Sequence, residues 1–216
     1  MNCLLVAATA KEIAGFIDHY RKNETMFEHE IDVLITGIGL TATTYNLTKY
    51  FSLKRPGHVI QAGIAGSFDK NISLASVVIV KKDRIADEVV VEEKKPKTLF
   101  DLGLISSNHF PYKNRWLVNP DKKIFTLRKY KAVNAISVNQ VSADKKMIGF
   151  YKENFQPAIE SMEGAALHYV CLSEKIPFLQ IRSISNYVGE RNKKNWKIKD
   201  SIINLNTELI LLLNSL

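Results

Sequence analysis

Cysteine is almost missing: Cys3 and Cys171 are the only two among 216 residues. Both sit in apolar runs (NCLLVA and HYVCL), so they read as small buried hydrophobes, and two thiols exclude a disulfide framework or a paired-cysteine zinc site. Long apolar runs are also missing. No stretch approaches the ~18 residues that span a bilayer. The N-terminal MNCLLVAATAKE holds an apolar run of about eight residues with no basic leader, so it reads as a first strand rather than an export signal. A cytoplasmic protein with no membrane partner is therefore expected. His19, His29, His58, His109 and His168 show no metal-ligand spacing, and no Gly-x-Ser-x-Gly elbow accompanies them; no metal and no serine nucleophile are expected. Glycine (10) and proline (6) are too sparse for a collagen-like or low-complexity chain.

Acidic residues are scarce in one place only. Between Lys94 and Lys131 there are ten basic residues (Lys94, Lys95, Lys97, Lys113, Arg115, Lys122, Lys123, Arg128, Lys129, Lys131) and two acids, Asp101 and Asp121. That stretch carries the whole net charge of +8, and the remainder balances. With no interleaved aromatic platform, the basicity does not read as a strand-binding surface, and no nucleic-acid partner is expected.

What is present is ordinary for a globular protein: 46% apolar and 24% charged residues. Strands are expected at Leu4–Ala8, Ile31–Thr36, His58–Ala62, Ser76–Lys81, Ala135–Val141, Pro157–Ser161 and Pro177–Ser185. Helices are expected at Ala10–Tyr20, Thr41–Leu53, Asp144–Asn154, Met162–Ser173 and Ile198–Leu213, with a glycine turn at Gly63–Gly66. The alternation predicts an α/β fold, a single domain over 1–216 with a central mixed sheet flanked by helices, interrupted by an irregular basic excursion at about 83–131. Ligands of such sheets bind beyond the carboxyl ends of the strands.

Four segments at those ends carry chemistry. Gly37-Ile38-Gly39-Leu40-Thr41-Ala42 fits a dinucleotide turn, but the next strand ends in Gln61-Ala62-Gly63 without the ribose-binding acid; a tight strand-to-helix turn fits as well. Glu12 follows the first strand and is either a solvated first-turn residue or a carboxylate aimed into the cleft. Glu163, opening a helix of small residues, is either a cap or an acceptor for sugar hydroxyls. Asn186 follows the strand Phe178–Ser185 and is either a turn residue or a site amide.

Together, Ala8–Glu12, Thr36–Gly39, Gly63–Gly66, Glu160–Ala166 and Arg182–Asn186 resemble the nucleoside phosphorylase/nucleosidase superfamily over most of the chain. The resemblance implies a nucleoside phosphorylase-like fold, a small-molecule nucleoside as partner, no cofactor, and a homo-oligomer. It implies Glu12 as general base, Met162 and Glu163 on the ribose, and Gly63, Ala65, Gly66, Val141 and Ser142 along the base. Asn186 stands where the superfamily's methylthioadenosine enzymes carry a catalytic aspartate. A carboxylate only accepts, which suits adenine; an amide donates to a 6-oxo group and accepts from N7–H, which suits hypoxanthine. Ala86-Asp87-Glu88, Leu99–Leu104 and Ser185–Asn192 resemble a subgroup of hydrolases whose nucleoside also bears a benzoate-type carboxylate, for which Arg191 or Arg115 is the expected partner. Two positions depart from the pattern: Ile64 replaces a common Ser or Thr, and Lys11 a common acid. On the sequence alone a methylthioadenosine nucleosidase, a phosphate-dependent phosphorylase and a dinucleotide-binding protein remain as other readings.

Overall fold

The first strand, β1 (Cys3–Ala7), is apolar at every position because both of its faces are covered. Cys3, Leu5 and Ala7 pack with Ile13, Phe16, Leu205, Leu209 and Leu212 on one side, while Leu4 and Val6 pack with Leu47, Leu167, Val170 and Cys171 on the other. Each fully buried Leu, Ile or Phe contributes about 1.5–3 kcal/mol. The computed structural model that shows this describes residues 2–28, 30–93, 95–122 and 129–214. His29 and, of the basic stretch, Lys94, Lys123 and Arg128 lie outside the described residues.

The remaining elements are α1 (Ala14–Lys22), β2 (Ile31–Ile35), α2 (Leu40–Leu53), β3 (His58–Ser67), β4 (Val77–Asp83), β5 (Val89–Glu92), β6 (Lys95–Thr98), β7 (Leu117–Val118), β8 (Lys131–Ser137), α3 (Lys145–Phe155), β9 (Ile159–Ser161), α4 (Gly164–Ser173), β10 (Phe178–Tyr187) and α5 (Ile198–Leu213). The main sheet has eight strands in the order β10-β4-β8-β9-β3-β1-β2, with β7 on β4, and β10 also pairs with β3, so five strands close into a ring. Most pairs are parallel; β10 with β4, β3 with β9 and β4 with β7 are antiparallel. The sheet is mixed and flanked by helices, as expected from the alternation. Within the basic stretch, β5 and β6 form a separate hairpin, and β7 returns to the edge of β4.

Several boundaries differ from the sequence reading, and each difference shapes the cleft. Gly63–Gly66 is not a turn. It continues β3, and β10 runs beside it with Arg182 opposite Gly63 and Asn186 opposite Gly66. Glycine is needed at position 63 because a Cβ there would lie 2.2 Å from Arg182 Nη1 and 3.0 Å from Glu12 Oε1. The expected helix Ala10–Tyr20 is split. Residues Ala10–Glu12 make one 3-10 turn, and the α-helix starts at Ala14. Asn206 of α5 bridges the break, accepting from Phe16 N (2.7 Å) and donating to Glu12 O (2.8 Å).

The strand expected at Ala135–Val141 sits earlier, and residues 138–143 leave the sheet. Asp87 accepts from Asn139 N (2.5 Å) and Gln140 N (3.3 Å) and holds this segment out as a loop. The helix expected from Met162 begins at Gly164. β10 extends to Tyr187 through an irregularity between Ile184 and Asn186, which places Asn186 inside the strand rather than past its end.

Candidate active site

The carboxyl ends of β3, β9 and β10 bound a cleft of about 170 Å³ whose walls include Ala65, Gly66, Val141, Ser142, Glu160, Met162, Asn186 and Arg191. Three charged groups converge next to it, around Gly63. Glu12 is positioned by three hydrogen bonds: Oε2 accepts from Thr9 N (3.1 Å) and Thr9 Oγ1 (3.0 Å), and Oε1 from Ile64 N (3.1 Å). The bond from Ile64 uses its backbone, so it does not depend on the missing hydroxyl at that position. Glu163 is buried; its Oε1 accepts from Gly39 N (3.1 Å), and its Oε2 lies 3.7 Å from Arg182 Nη1. Gly39 can present that N–H because it sits at φ +95°, and the glycine turn before α2 therefore serves a carboxylate of this site. Burial pushes the Glu163 carboxyl above its ordinary range, opposed by Arg182 and by Gly39 N–H and reinforced by the negative charge of Glu12.

Arg182 was not among the expected site residues. It is 1% exposed, donates from Nη2 to Gln61 Oε1 (2.7 Å), and stands between Gly63 and Glu163. Its signal was available: an arginine as the one charged residue in the run Phe-Leu-Gln-Ile-Arg-Ser-Ile-Ser has to be buried with a partner. Asp83 and Glu160 were missed for the same reason, being single acids within or beside buried strands.

Asn186 is 9% exposed; its Oδ1 accepts from Ser185 Oγ (2.8 Å) and its Nδ2 donates to Tyr187 O (3.1 Å), which leaves one further acceptor and one further donor. Ser142 donates from N to Glu160 Oε1 (2.9 Å) and from Oγ to Glu160 Oε2. Burial raises the Glu160 carboxyl, and these two bonds and the nearby Arg191 charge act against that. Arg191 borders the cleft with its guanidinium 5.8 Å from the Trp196 ring. Trp196 is tied back by Nε1 donating to Glu190 O (3.0 Å). Arg115 is elsewhere: it is bonded to Asp101 Oδ1 (2.6 Å) and Ser107 Oγ and is not among the cleft residues. The structure thus brings Ala65, Gly66, Val141, Ser142, Met162, Asn186 and Arg191 to the cleft, with Gly63, Glu12 and Glu163 beside it.

Behind the cleft, Asp83 is fully buried. Its Oδ1 accepts from Arg84 N (2.7 Å) and Ser137 Oγ (3.1 Å), and the Gln180 amide and Oδ2 both approach Gly164 so closely that a Cβ there would lie 2.1–2.2 Å from each. Burial lifts its carboxyl to about 6, with the Arg84 N–H and the Arg182 charge pulling the other way. A carboxyl raised in the folded state stabilises the fold fully below its unfolded value and loses that contribution as pH rises through about 6. Asp83→Asn is therefore expected to gain stability relative to the parent between pH 5 and pH 8, by about 1–2 kcal/mol. Urea unfolding at the two pH values checks this, and a difference that does not change with pH contradicts it.

Both cysteines are free and buried, and burial pushes the Cys3 thiol up to about 12. Among the described residues there is no group of three His, Cys, Asp or Glu side chains placed to hold a metal, and no helix long and apolar enough to cross a membrane.

A ring-closed mixed sheet with helices on both faces and a cleft at its carboxyl ends is a nucleoside phosphorylase-like fold. The native structure of futalosine hydrolase from Helicobacter pylori superposes on it with a TM-score of 0.82 at 18% identity, covering 100% of this chain and 98% of that one. Among proteins of known activity, futalosine hydrolase of Thermus thermophilus is 26% identical over 78% of this chain and 75% of its own length. The 5'-methylthioadenosine/S-adenosylhomocysteine nucleosidase of Psychromonas ingrahamii is 25% identical over 75% of this chain and 70% of its own. The chain belongs to the phosphorylase superfamily, whose family model matches residues 5–214, and within it to the nucleoside N-glycosidases that these relatives represent. Two activities are matched at almost equal identity, so the substrate is a question for the cleft.

Proposed function

We propose that this protein hydrolyses the N-ribosidic bond of futalosine, releasing hypoxanthine and dehypoxanthine futalosine, a step of menaquinone biosynthesis. The observation that carries the reading is Asn186: a buried amide on the cleft wall, with one donor and one acceptor free. Hypoxanthine offers a carbonyl at position 6 and, once N7 is protonated, a donor beside it. The amide meets both. Adenine would set its amino group against the Asn186 N–H and leave buried groups mispaired.

The chemistry follows from the groups around Gly63. Water enters beside Glu12, which takes its proton as the oxygen closes on C1′. The C1′–N9 bond breaks, its electron pair leaves with the purine, and N7 takes a proton from solvent. Asn186 then holds N7–H and O6, a fixed dipole aimed at the departing base. Glu163 accepts from the ribose hydroxyls beside Met162, and its negative charge favours the oxocarbenium-like sugar. Gly63, Ala65, Gly66, Val141 and Ser142 shape the slot for the ring. The substrate's carboxylate falls to Arg191, which the cleft contains, rather than to Arg115, which Asp101 already occupies.

The test is release of hypoxanthine from futalosine in phosphate-free buffer, with methylthioadenosine assayed in parallel. Release of adenine from methylthioadenosine and none of hypoxanthine from futalosine refutes the assignment. Dependence on phosphate would make the enzyme a phosphorylase. Asn186→Asp is expected to lower kcat/KM on futalosine about 10- to 100-fold, the cost of one mispaired buried group, while methylthioadenosine turnover rises or holds.

A further inference from the structure

We infer that Ser137 and Asp83 are positioning residues: they take over the capping of α4 and so leave the carboxylate of Glu163 free for the ribose. The inference rests on the ribose-binding reading of Glu163 given above and adds two residues that act through it. Glu163 is the residue that opens α4, and its carbonyl closes the first turn by accepting from Ala166 N (3.0 Å) and Leu167 N (3.2 Å). A residue in that place ordinarily turns its side chain back onto the second or third N–H of its own helix. Glu163 makes no such bond. Its carboxylate faces the other way, to Gly39 N and the Arg182 guanidinium. The two N–H groups left open are met from neighbouring strands instead. Gly164 N donates to Ser161 Oγ of β9 (3.3 Å), and Ala165 N donates to Ser137 Oγ of β8 (2.8 Å).

The hydroxyls serve as acceptors only while their protons point elsewhere, and Asp83 decides that. Ser137 Oγ donates to Asp83 Oδ1 (3.1 Å), and Ser161 Oγ lies 3.3 Å from Ser137 Oγ. An ionised carboxylate accepts and never donates. The Ser137 proton is therefore committed to Asp83, its oxygen receives Ala165 N–H and Ser161 O–H, and the Ser161 oxygen receives Gly164 N–H. Every bond of the chain runs from the helix start toward a buried anion, which the positive end of the helix also favours. Asp83 and Ser137 are fully buried, so solvent does not stand in for either. Asp83 Oδ2 also lies against Gly164, the residue after Glu163, and fixes the seat of the chain there. Without Ser137 the Ala165 N–H loses its acceptor, and the Glu163 carboxylate stands in the position from which side chains ordinarily cap. It then swings onto its own helix and away from the sugar. The competing explanation is that the serines only satisfy a helix end, which makes them matter for stability and not for the ribose.

The readout is the preference in kcat/KM for a ribonucleoside over its 2′-deoxy counterpart. It is taken with inosine or adenosine, whichever the parent cleaves, so the outcome does not depend on which base is released. Glu163→Gln removes the charge that accepts from the sugar hydroxyls and sets the floor. Ser137→Ala is expected to lower the preference about 10-fold, within the roughly 10²-fold that a misplacement of about 1 Å costs. Adding Ser137→Ala to Glu163→Gln should lower it no further, because the serine acts through a carboxylate that is no longer there. Asp83→Ala leaves the Ser137 proton uncommitted and should move the preference the same way. Val170→Ala removes buried contacts farther along the same helix and should keep the parent preference. A Ser137→Ala enzyme that keeps the parent preference while Glu163→Gln loses it overturns this inference and leaves the ribose role of Glu163 standing. Equal losses in Val170→Ala and Ser137→Ala overturn it too, since any loosening of α4 would then suffice. A Glu163→Gln enzyme that keeps the preference overturns both the inference and the ribose role.

Discussion

Glu12→Gln is expected to lower kcat on futalosine by about 10²–10⁴-fold, the usual contribution of a positioned general base. The amide cannot take the proton of water, although it is nearly the same shape. Hypoxanthine binding should stay within a few-fold of the parent, because the residues proposed to hold the base lie on β3, β10 and the Val141–Ser142 loop. A structural effect accompanies the chemical one. Glu12 accepts with both oxygens, from Thr9 N and Oγ1 and from Ile64 N, and glutamine has only one oxygen to offer. A stability loss of about 1–2 kcal/mol follows, too small to unfold the protein at 25 °C. Kinetics at 25 °C, base binding by calorimetry and a melting curve separate the three effects. A kcat within ten-fold of the parent would remove Glu12 from the role of base.

Arg182→Met carries the largest expected loss of stability. It leaves Glu163 buried and charged with no cation beside it, which costs about 3–5 kcal/mol near pH 8. The loss should shrink on acidification. Burial already holds the Glu163 carboxyl above its ordinary value with Arg182 present, and removing the arginine raises it further. The folded variant therefore prefers the protonated form. Its stability recovers as pH falls through the raised folded value and is fully recovered below the unfolded one. Adding Glu163→Gln to the variant should restore much of the stability at pH 8 by removing the stranded charge, without restoring turnover. Urea unfolding at pH 5 and pH 8 is the measurement; equal losses at both would mean that Arg182 acts by packing alone.

The parts of this site that were legible in the sequence are those where a polar residue interrupts a pattern at the end of an apolar run. Glu12, Glu163 and Asn186 stand out that way, and the structure sets all three in or beside one cleft. Arg182 and Glu160 are interruptions too, but they lie inside strands, where one chain alone does not show which neighbour satisfies them. Gly63–Gly66 shows the converse. Two glycines in four residues suggest a turn, and only their tertiary neighbours, the Arg182 guanidinium over Gly63 and the Asn186 and Val188 side chains over Gly66, explain why they belong to a strand. The helix start at Ala14 has the same cause, since the bonds that terminate the 3-10 turn come from Asn206, nearly two hundred residues away in sequence.

The linear chain by itself determined the class of fold, through apolar runs with strand and helix periods, and marked Asn186 as a polar residue at the end of an apolar run. Those are properties of composition and short-range spacing. Only the tertiary structure decided which residues share a surface. It paired Gly66 with Glu160 and Asn186, separated Arg191 in the cleft from Arg115 outside it, and placed one guanidinium between the floor of the site and a buried carboxylate. These are long-range pairings, and their partners are selected by desolvation: a buried charge or amide is tolerated only where another strand brings the group that satisfies it.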